Sequence, residues 1–597
     1  MSEPTPLRAR ELDQHDGCRI VNPVVERPYS DGSEERIFDI VRQAGDITSL
    51  SDELALAGLE WPDRYHLSHA RANVVRGLDL VSDMRVLEVG AGCGAITRLL
   101  GERCSVVDAV EPEFPRARVA RSRTRDLASV EVFVGGLNDV PPVPAYDAVF
   151  VVGVLEYSGS GAVDDSPYLD FLQRVHSVLR PGGSAVIAIE NRLGVKYIAG
   201  APEDHTGNAY EGVEGYRRRS HALTFSRRAL CSLVRSAGMS PSVLSAFPDY
   251  KFTRALIHDD LLTRHPSLAW RIPMYATGGI AAGDDAVDER LLWRQVVEAG
   301  VATEFANSFV VLAEKGEGGR QLWPDGALAA VFQPGRRAAY TVRTVVSHRA
   351  GVTRFEREKL QPDGDTGQLR HHPRSEDLVD GVDMLELLEQ DAGTLDAALL
   401  RSWRAMVAEH DASAPSLDLV PANLVQARDG SLHQIDDEWT HDSYSSGAVL
   451  ARGALTTGLH LAANTHPSRW DERTVRDLVR RIGSVVIPDA PQRWIEDTVD
   501  READLQAAVF LPPPGLSAGM TSAQAHRSRF REWLSREMRS MPLGRRAVDR
   551  AALAEQHATL LATERDSLRQ QLDAMSSSRS WRITAPLRAT SRQLRRR

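Results

Sequence analysis

With 597 residues, 42% of them hydrophobic and 26% charged, the chain is too long for one ordinary core and has the balance of a globular protein of two or three domains. A formal net charge of −10 argues against a general nucleic-acid binder, although the C-terminal end is strongly basic. Cys18, Cys93, Cys104 and Cys231 show neither metal-ligand spacing nor a disulfide framework. No secretory apolar segment follows Met1, and no apolar run approaches the ~20 residues that cross a bilayer, so a cytoplasmic location is expected.

Residues 1–50 read as a polar N-terminal arm that turns helical near Glu34 to Ala44. His66 and Arg71, on a helix expected before the first strand, are candidates for the mouth of a cofactor site. The stretch Val86-Leu87-Glu88-Val89-Gly90-Ala91-Gly92-Cys93-Gly94 is an apolar run entering alternating glycines, and helical spacing follows from Ala95 to Leu100. The pattern predicts a buried strand, a tight turn and a helix N-terminus. Glycine permits the bend and close approach to a ligand, and the helix start offers free N–H donors. Gly90, Gly92 and Ala95 satisfy the dinucleotide pattern G-x-G-x-x-A. Glu88, Gly90, Gly92 and Gly94 satisfy the acidic residue and G-x-G-x-G of an S-adenosylmethionine (SAM) site. The turn alone does not decide between them.

Ser105 to Glu111 reads as the second strand, and Glu111 at its end suits a ribose diol. Arg116 to Arg125 reads as a basic helix with a solvated face. Val130 to Val134 is the third strand, and Leu137 and Asn138 in the following loop would bracket an adenine ring. Tyr146 to Tyr157 is the fourth strand and its exit, carrying Glu156; a helix over Tyr168 to Leu179 and a strand over Ser184 to Glu190 follow. Strands alternating with helices predict a doubly wound, Rossmann-like parallel sheet. The ordered set of Glu88, the three glycines, Glu111, Tyr146-Asp147 and Leu179-Arg180-Pro181-Gly182-Gly183 resembles the class I SAM-dependent methyltransferases. That resemblance implies SAM as cofactor and a methyltransferase domain over residues 51–315.

Methyl transfer from a sulfonium is a displacement in which positioning is most of the catalysis. A hydroxyl acceptor also needs a base, whereas a phosphate or carboxylate needs cations to hold it. The long polar stretch from Glu190 to Arg219 reads as an acceptor lid. His205 is its leading base, Glu156 faces the same crevice, and Arg217 to Arg219 suit an anion. Ser308 to Ala313 closes the region, with a boundary at Glu314 to Gly319.

Beyond it, residues 320–510 begin with short antiparallel strands at Ala329 to Gln333, Arg337 to Ser347 and Val352 to Phe355, then a helix start at Arg357 to Leu360. Asp418, Asn423 and Asp436 are spaced in a way that resembles the kinase-like fold of aminoglycoside-phosphotransferase type. The resemblance implies an α+β domain with Asp418 as base and Asn423 and Asp436 as magnesium ligands for ATP. Ser416 stands in place of the family's usual histidine, a glycine-rich loop is missing, and Arg354 replaces the expected lysine. A degenerate domain binding a sugar or a partner is the alternative.

Residues 511–550 read as a linker around Pro512 to Gly515. Residues 551–577 carry a seam of Ala554, Ala558, Leu561, Arg565, Leu568, Leu572 and Met575, suited to a coiled coil with another copy or a glycan-assembly partner, or to packing on the second domain. Residues 578–597 hold seven arginines and no acidic residue among Trp581, Ile583, Leu587 and Leu594, which suits attachment to an anionic membrane. The whole order resembles the bacterial bifunctional methyltransferase/kinases that terminate O-antigen chains. It implies methylation of a hydroxyl or phosphate on a lipid-linked glycan end, at the inner face of the cytoplasmic membrane. A soluble methyltransferase of a nucleotide sugar or natural product, and a scaffold binding SAM without turnover, are the alternatives.

Overall fold

A computed structural model describes residues 4–23, 32–58, 61–159, 165–216, 221–272, 287–333, 335–362, 368–390, 393–410, 415–465, 467–512 and 519–538. Arg217 to Arg219, the seam at 551–577 and the tail at 578–597 lie outside these residues.

Five apolar segments pair in parallel: β1 (Arg85–Val89), β2 (Val106–Glu111), β3 (Val130–Val134), β4 (Tyr146–Val152) and β5 (Leu179–Glu190). Their order is β3-β2-β1-β4-β5, so direction of winding reverses between β1 and β4. Both faces are covered, which is why these strands are runs of Val, Ile, Leu and Ala rather than alternating sequences. Strands β6 (Ser240–Phe247), β7 (Ala255–His258) and β8 (Ser308–Glu314) follow. β8 inserts antiparallel between β5 and β6, with Val310 opposite Ala188 on one side and Leu244 on the other.

β5 starts earlier than expected, directly after helix α4, once the helices are numbered α1 (Glu34–Gln43), α2 (Ala95–Arg103), α3 (Phe114–Arg123) and α4 (Ser166–Val178). The Pro181-Gly182-Gly183 segment lies inside the strand, and the register shifts between Tyr146 opposite Leu179 and Ala148 opposite Ser184.

Two local expectations are corrected. The N-terminal residues are not a loose arm: Arg8 donates to Asp108 at 2.7 Å, Leu7 is buried, and Cys18–Ile20 pairs with β3. The basic helix α3 is not merely solvated either. Arg116 pairs with buried Glu34 at 3.2 Å, Arg123 donates to the His66 carbonyl at 2.6 Å, and Arg125, just beyond it, reaches the Val41 and Ala44 carbonyls. Arg116 and Arg125 tie α1 to α3, and Arg123 ties α3 to the segment at His66.

Past Gly319 the same sheet continues through β9 (Ala327–Phe332), β10 (Val342–Arg349), β11 (Val352–Lys359) and the short β12 (Glu376–Asp377). β9 pairs directly with β7, Ala329 opposite Ile257. Arg357 to Lys359 belong to β11 rather than to a helix, because β10 offers a full antiparallel ladder from Val342–Lys359 to Arg349–Val352. A second core forms among α5 (Ala397–Glu409), α6 (Ser446–Asn464), α7 (Val475–Val486) and α8 (Trp494–Val509), centred on residues such as Trp403, Leu455, Ile482 and Val499. No described helix is long and apolar enough to cross a membrane.

Candidate active site

The glycine turn sits at the carboxyl end of β1, where winding reverses and ligands of such sheets bind. Gly90, Gly92 and Gly94 all have positive φ, at 75°, 53° and 78°. A Cβ on Gly94 would lie 2.6 Å from the Ala120 backbone, so this glycine lets α2 pack closely on α3. A Cβ on Gly90 would lie 2.5 Å from Val154 Cγ2, beyond the end of β4. Gly92 faces open space, with no atom within 4 Å of such a Cβ.

Glu111 ends β2 beside this opening. It accepts from Gly92 N–H at 2.7 Å and from Glu113 N–H at 3.0 Å, and burial raises its pKa. Glu88 is buried as well, pushed up to about 8 by burial, and its Oε2 has no hydrogen-bond donor among the described residues. Leu137 is buried in the loop after β3, and Asn138 is at the surface. Arg174 of α4 fixes this loop by donating to the Leu137 and Asn138 carbonyls.

Two residues past Val154, Glu156 opens a second cluster. Its carboxylate is buried and accepts from Tyr250 Oη at 3.3 Å, leaving Oε2 without a donor among the described residues. His205 Nε2 faces Glu156 Oε1 at 3.8 Å, and His205 Nδ1 is bonded to Glu203 Oε1 at 2.8 Å. Glu203 is itself fixed by backbone N–H groups of His205 and Thr206 and by Tyr216 Oη. Glu190, at the end of β5, is buried and pairs with Lys251 at 2.5 Å. Lys251 and Lys196 share Asp204 at 2.8 and 2.9 Å. Tyr157 packs edge-on to His205, with His221 on its other side.

Burial would lower the His205 pKa, but facing Glu156 together with nearby Glu190 and Glu203 outweighs it and pushes the imidazole up to about 11. These carboxylates favour the protonated imidazole over the free base. The structure keeps His205 and Glu156, both singled out in the sequence, in one cluster.

His66 and Arg71 are both buried. Arg71 stacks over Tyr65 and Tyr250 and donates to the Tyr250 carbonyl at 3.3 Å, linking the glycine side of the crevice to the second cluster. Lys251, Tyr250 and Asp249 went unnoticed in the sequence. They form a polar triplet after β6, some 45 residues past His205, and that position at a strand exit was the signal available.

Residues 86–183 match a family model described as a methyltransferase domain. The chain carries an SAM-dependent methyltransferase domain. It is similar to a ribosomal RNA small subunit methyltransferase A of Geobacter metallireducens, 36% identical over 72 residues, which cover 12% of this chain and 26% of that relative. It is also similar to a tRNA U34 carboxymethyltransferase of Pseudoalteromonas atlantica, 32% identical over 105 residues, covering 17% and 30%. The chain thus spans less than a third of the length of these two curated relatives. Among solved structures it is similar to a methyltransferase in complex with the Haloferax volcanii Trm112 activator, at 15% identity and TM-score 0.27, covering 47% of this chain and 98% of that one. An SAM-dependent methyltransferase of Mesorhizobium loti aligns at 18% identity and TM-score 0.25, covering 40% and 95%.

The methyltransferase domain fits its cofactor on two observations: the space over Gly92 and the orphaned carboxylate oxygen of Glu88. Gly90, Gly92 and Gly94 shape the turn, Glu111 lies beside it at the end of β2, and Leu137 and Asn138 lie in the loop that follows β3.

In the second region, Asp418 is buried and its Oδ2 accepts from the backbone N–H groups of Glu438 at 2.7 Å and Trp439 at 2.9 Å. Burial pushes this carboxyl up to about 7. Asn423 ends a short 3₁₀ turn, and its carbonyl accepts from Ile435 N–H. Asp436 pairs with Arg357 at 2.9 Å. Arg354 instead pairs with exposed Asp377 at the sheet edge, so Arg357 is the β11 cation that reaches the Asp436 side.

Proposed function

We propose that the chain methylates a hydroxyl of a saccharide acceptor, in the crevice between the glycine turn and the Glu156–His205 cluster. When bound, SAM supplies the methyl group on a positively charged sulfur. The charge of the crevice carries the reading. Five carboxylates, Glu156, Glu190, Glu203, Asp204 and Asp249, stand against the ammonium groups of Lys196 and Lys251 and the protonated His205 imidazole, which leaves an acidic surplus. Carboxylates accept hydrogen bonds from neutral hydroxyls and repel phosphates. The same acidic surplus disfavours an RNA acceptor, whose binding needs cations along its phosphates.

Glu156 takes the hydroxyl proton, and Tyr250 Oη, whose ring lies under Arg71, holds that carboxylate. A lipid-linked glycan end is the acceptor that the order of regions supports, with residues 578–597 as its membrane attachment. ATP–magnesium at Asn423 and Asp436 is a separate binding reading for the second region, in which Asp418 is spent on the backbone N–H groups of Glu438 and Trp439.

The test is calorimetry of SAM on wild type and Glu111→Ala, with ATP–magnesium titrated in parallel, followed by mass spectrometry of acceptors. Micromolar SAM binding weakened at least ~10-fold in the variant, and a methyl ether on a sugar hydroxyl, support the reading. A methyl phosphate ester would replace hydroxyl with phosphate as the acceptor. Absence of SAM binding would overturn the proposal.

A further inference from the structure

We infer that Glu156, Glu190 and His205 form a divalent-cation site of the Mg²⁺ or Mn²⁺ type, which holds neighbouring hydroxyl oxygens of the acceptor. This rests on the reading of the crevice as a hydroxyl-methylating site, and deepens it.

Geometry comes first. Each of the three residues offers one ligand atom, and these atoms lie within 4.8 Å of one another. An ion at ordinary distances of about 2.1 Å sets its ligands roughly 3–4 Å apart, so a small contraction closes the site. The side chains come from three places: the β4 exit, the β5 end and the loop after it.

The second observation is independent of spacing. Glu156 and Glu190 are both fully buried, yet Glu156 Oε2 and Glu190 Oε2 lack any hydrogen-bond donor among the described residues. Glu190 Oε1 meets only the Lys251 ion pair, and Lys251 is shared with Asp204. Buried carboxylate oxygens of this kind require a cation or a donor.

His205 is oriented for the same task. Its Nδ1 is tied to Glu203, which turns Nε2 toward Glu156 at a distance too long for a hydrogen bond, and a bound ion displaces the proton that the carboxylates otherwise favour on Nε2. A carboxylate behind the imidazole is the arrangement that fixes a metal-binding histidine. Two carboxylate oxygens and one nitrogen are a hard donor set with positions left over for water or acceptor oxygens. The surplus of carboxylates over ammonium groups leaves charge for a dication to neutralise. With the ion bound, Glu156 serves as a ligand in place of a base, and an acceptor hydroxyl held there gives up its proton to solvent as its oxygen bonds the methyl carbon, while the carbon–sulfur electron pair returns to sulfur.

The experiment uses the full-length chain, stripped with chelator and titrated with Mn²⁺ alone. Electron paramagnetic resonance is expected to show bound Mn²⁺ with nitrogen hyperfine coupling from one imidazole in the wild type. His205→Asn should remove the coupling. Glu156→Gln and Glu190→Gln, checked for folding by circular dichroism, should each weaken Mn²⁺ binding at least ~10-fold. Glu203→Gln, a positioning change, should weaken binding by a similar factor while leaving the coupling in place. Asp39→Asn, on the exposed face of α1, serves as control and should leave the coupled signal unchanged. Wild type without nitrogen-coupled Mn²⁺ up to millimolar metal, or coupling that persists in His205→Asn, overturns the site. SAM calorimetry on the same samples separates the two ideas: SAM binding without Mn²⁺ removes only the metal, whereas loss of SAM binding removes the methyltransferase reading beneath it.

Discussion

Asp418 shows how a residue picked out for chemistry can be committed to structure. One carboxylate oxygen serves two buried backbone N–H groups, those of Glu438 and Trp439. Asp418→Ala would orphan both, at a cost of about 2–5 kcal/mol, whereas Asp418→Asn keeps an acceptor oxygen and should cost about 1 kcal/mol or less. Urea unfolding of the two variants measures the difference. The carboxyl is also pushed up to about 7 by burial, against an ordinary value near ~3.9. Between those values the native chain keeps a proton that the unfolded chain has lost, so stability falls as pH rises from about 4 to 7. Asp418→Asn should flatten that slope, read as urea midpoints at pH 5 and pH 7.5. His205 is the matching case in the crevice. Its identity and its place near Glu156 were legible in the sequence, but its protonation depends also on Glu190, which the fold brings up at the end of β5.

At the scale of elements, the three glycines of one turn do separate jobs. Gly94 gives up its side chain so that α2 and α3 can touch, while Gly92 leaves room where nothing else intrudes. Gly94→Ala should therefore cost at least ~2 kcal/mol, the sum of a left-handed backbone and a clash with the Ala120 backbone. Gly92→Ala should cost only the backbone part, about 1–2 kcal/mol, yet abolish SAM binding. Thermal melts and calorimetry on both variants check the pairing of outcomes. Strands β1 to β5 were legible because a strand buried on both faces is a continuous apolar run, whatever its partners. The N-terminal segment was not legible: its residues are polar, and its anchors Asp108 and Phe133 lie 100 or more positions away. Arg357 to Lys359 were misread for a related reason. Their charged sequence has no strand signal of its own, and the ladder with β10 decides.

For the molecule as a whole, the sheet does not stop at the composition shift near Gly319. β9 completes the edge of β7, the Ala338 N–H reaches Asp52 at 2.9 Å, and Arg271 pairs with Asp383 and Glu386. A chain ending at residue 319 would keep all the glycine-turn and crevice residues but bare the β7 edge and the apolar surface under β9. It should melt well below the full-length chain and self-associate, as scanning calorimetry and size-exclusion chromatography would show. A sequence read for local pattern finds the turn between the two regions and cannot see the pairing across it.

That pairing also sets a timetable. During synthesis β7 leaves the ribosome roughly 70 residues before β9, a delay of roughly 4–14 s at ordinary elongation speed. Throughout that interval the nascent chain carries an open strand edge, with His258 and the acidic pair Asp259 and Asp260 directly after it as polar guards. Slowing translation between residues 260 and 327 should lower the yield of folded protein, while slowing it after residue 360 should not.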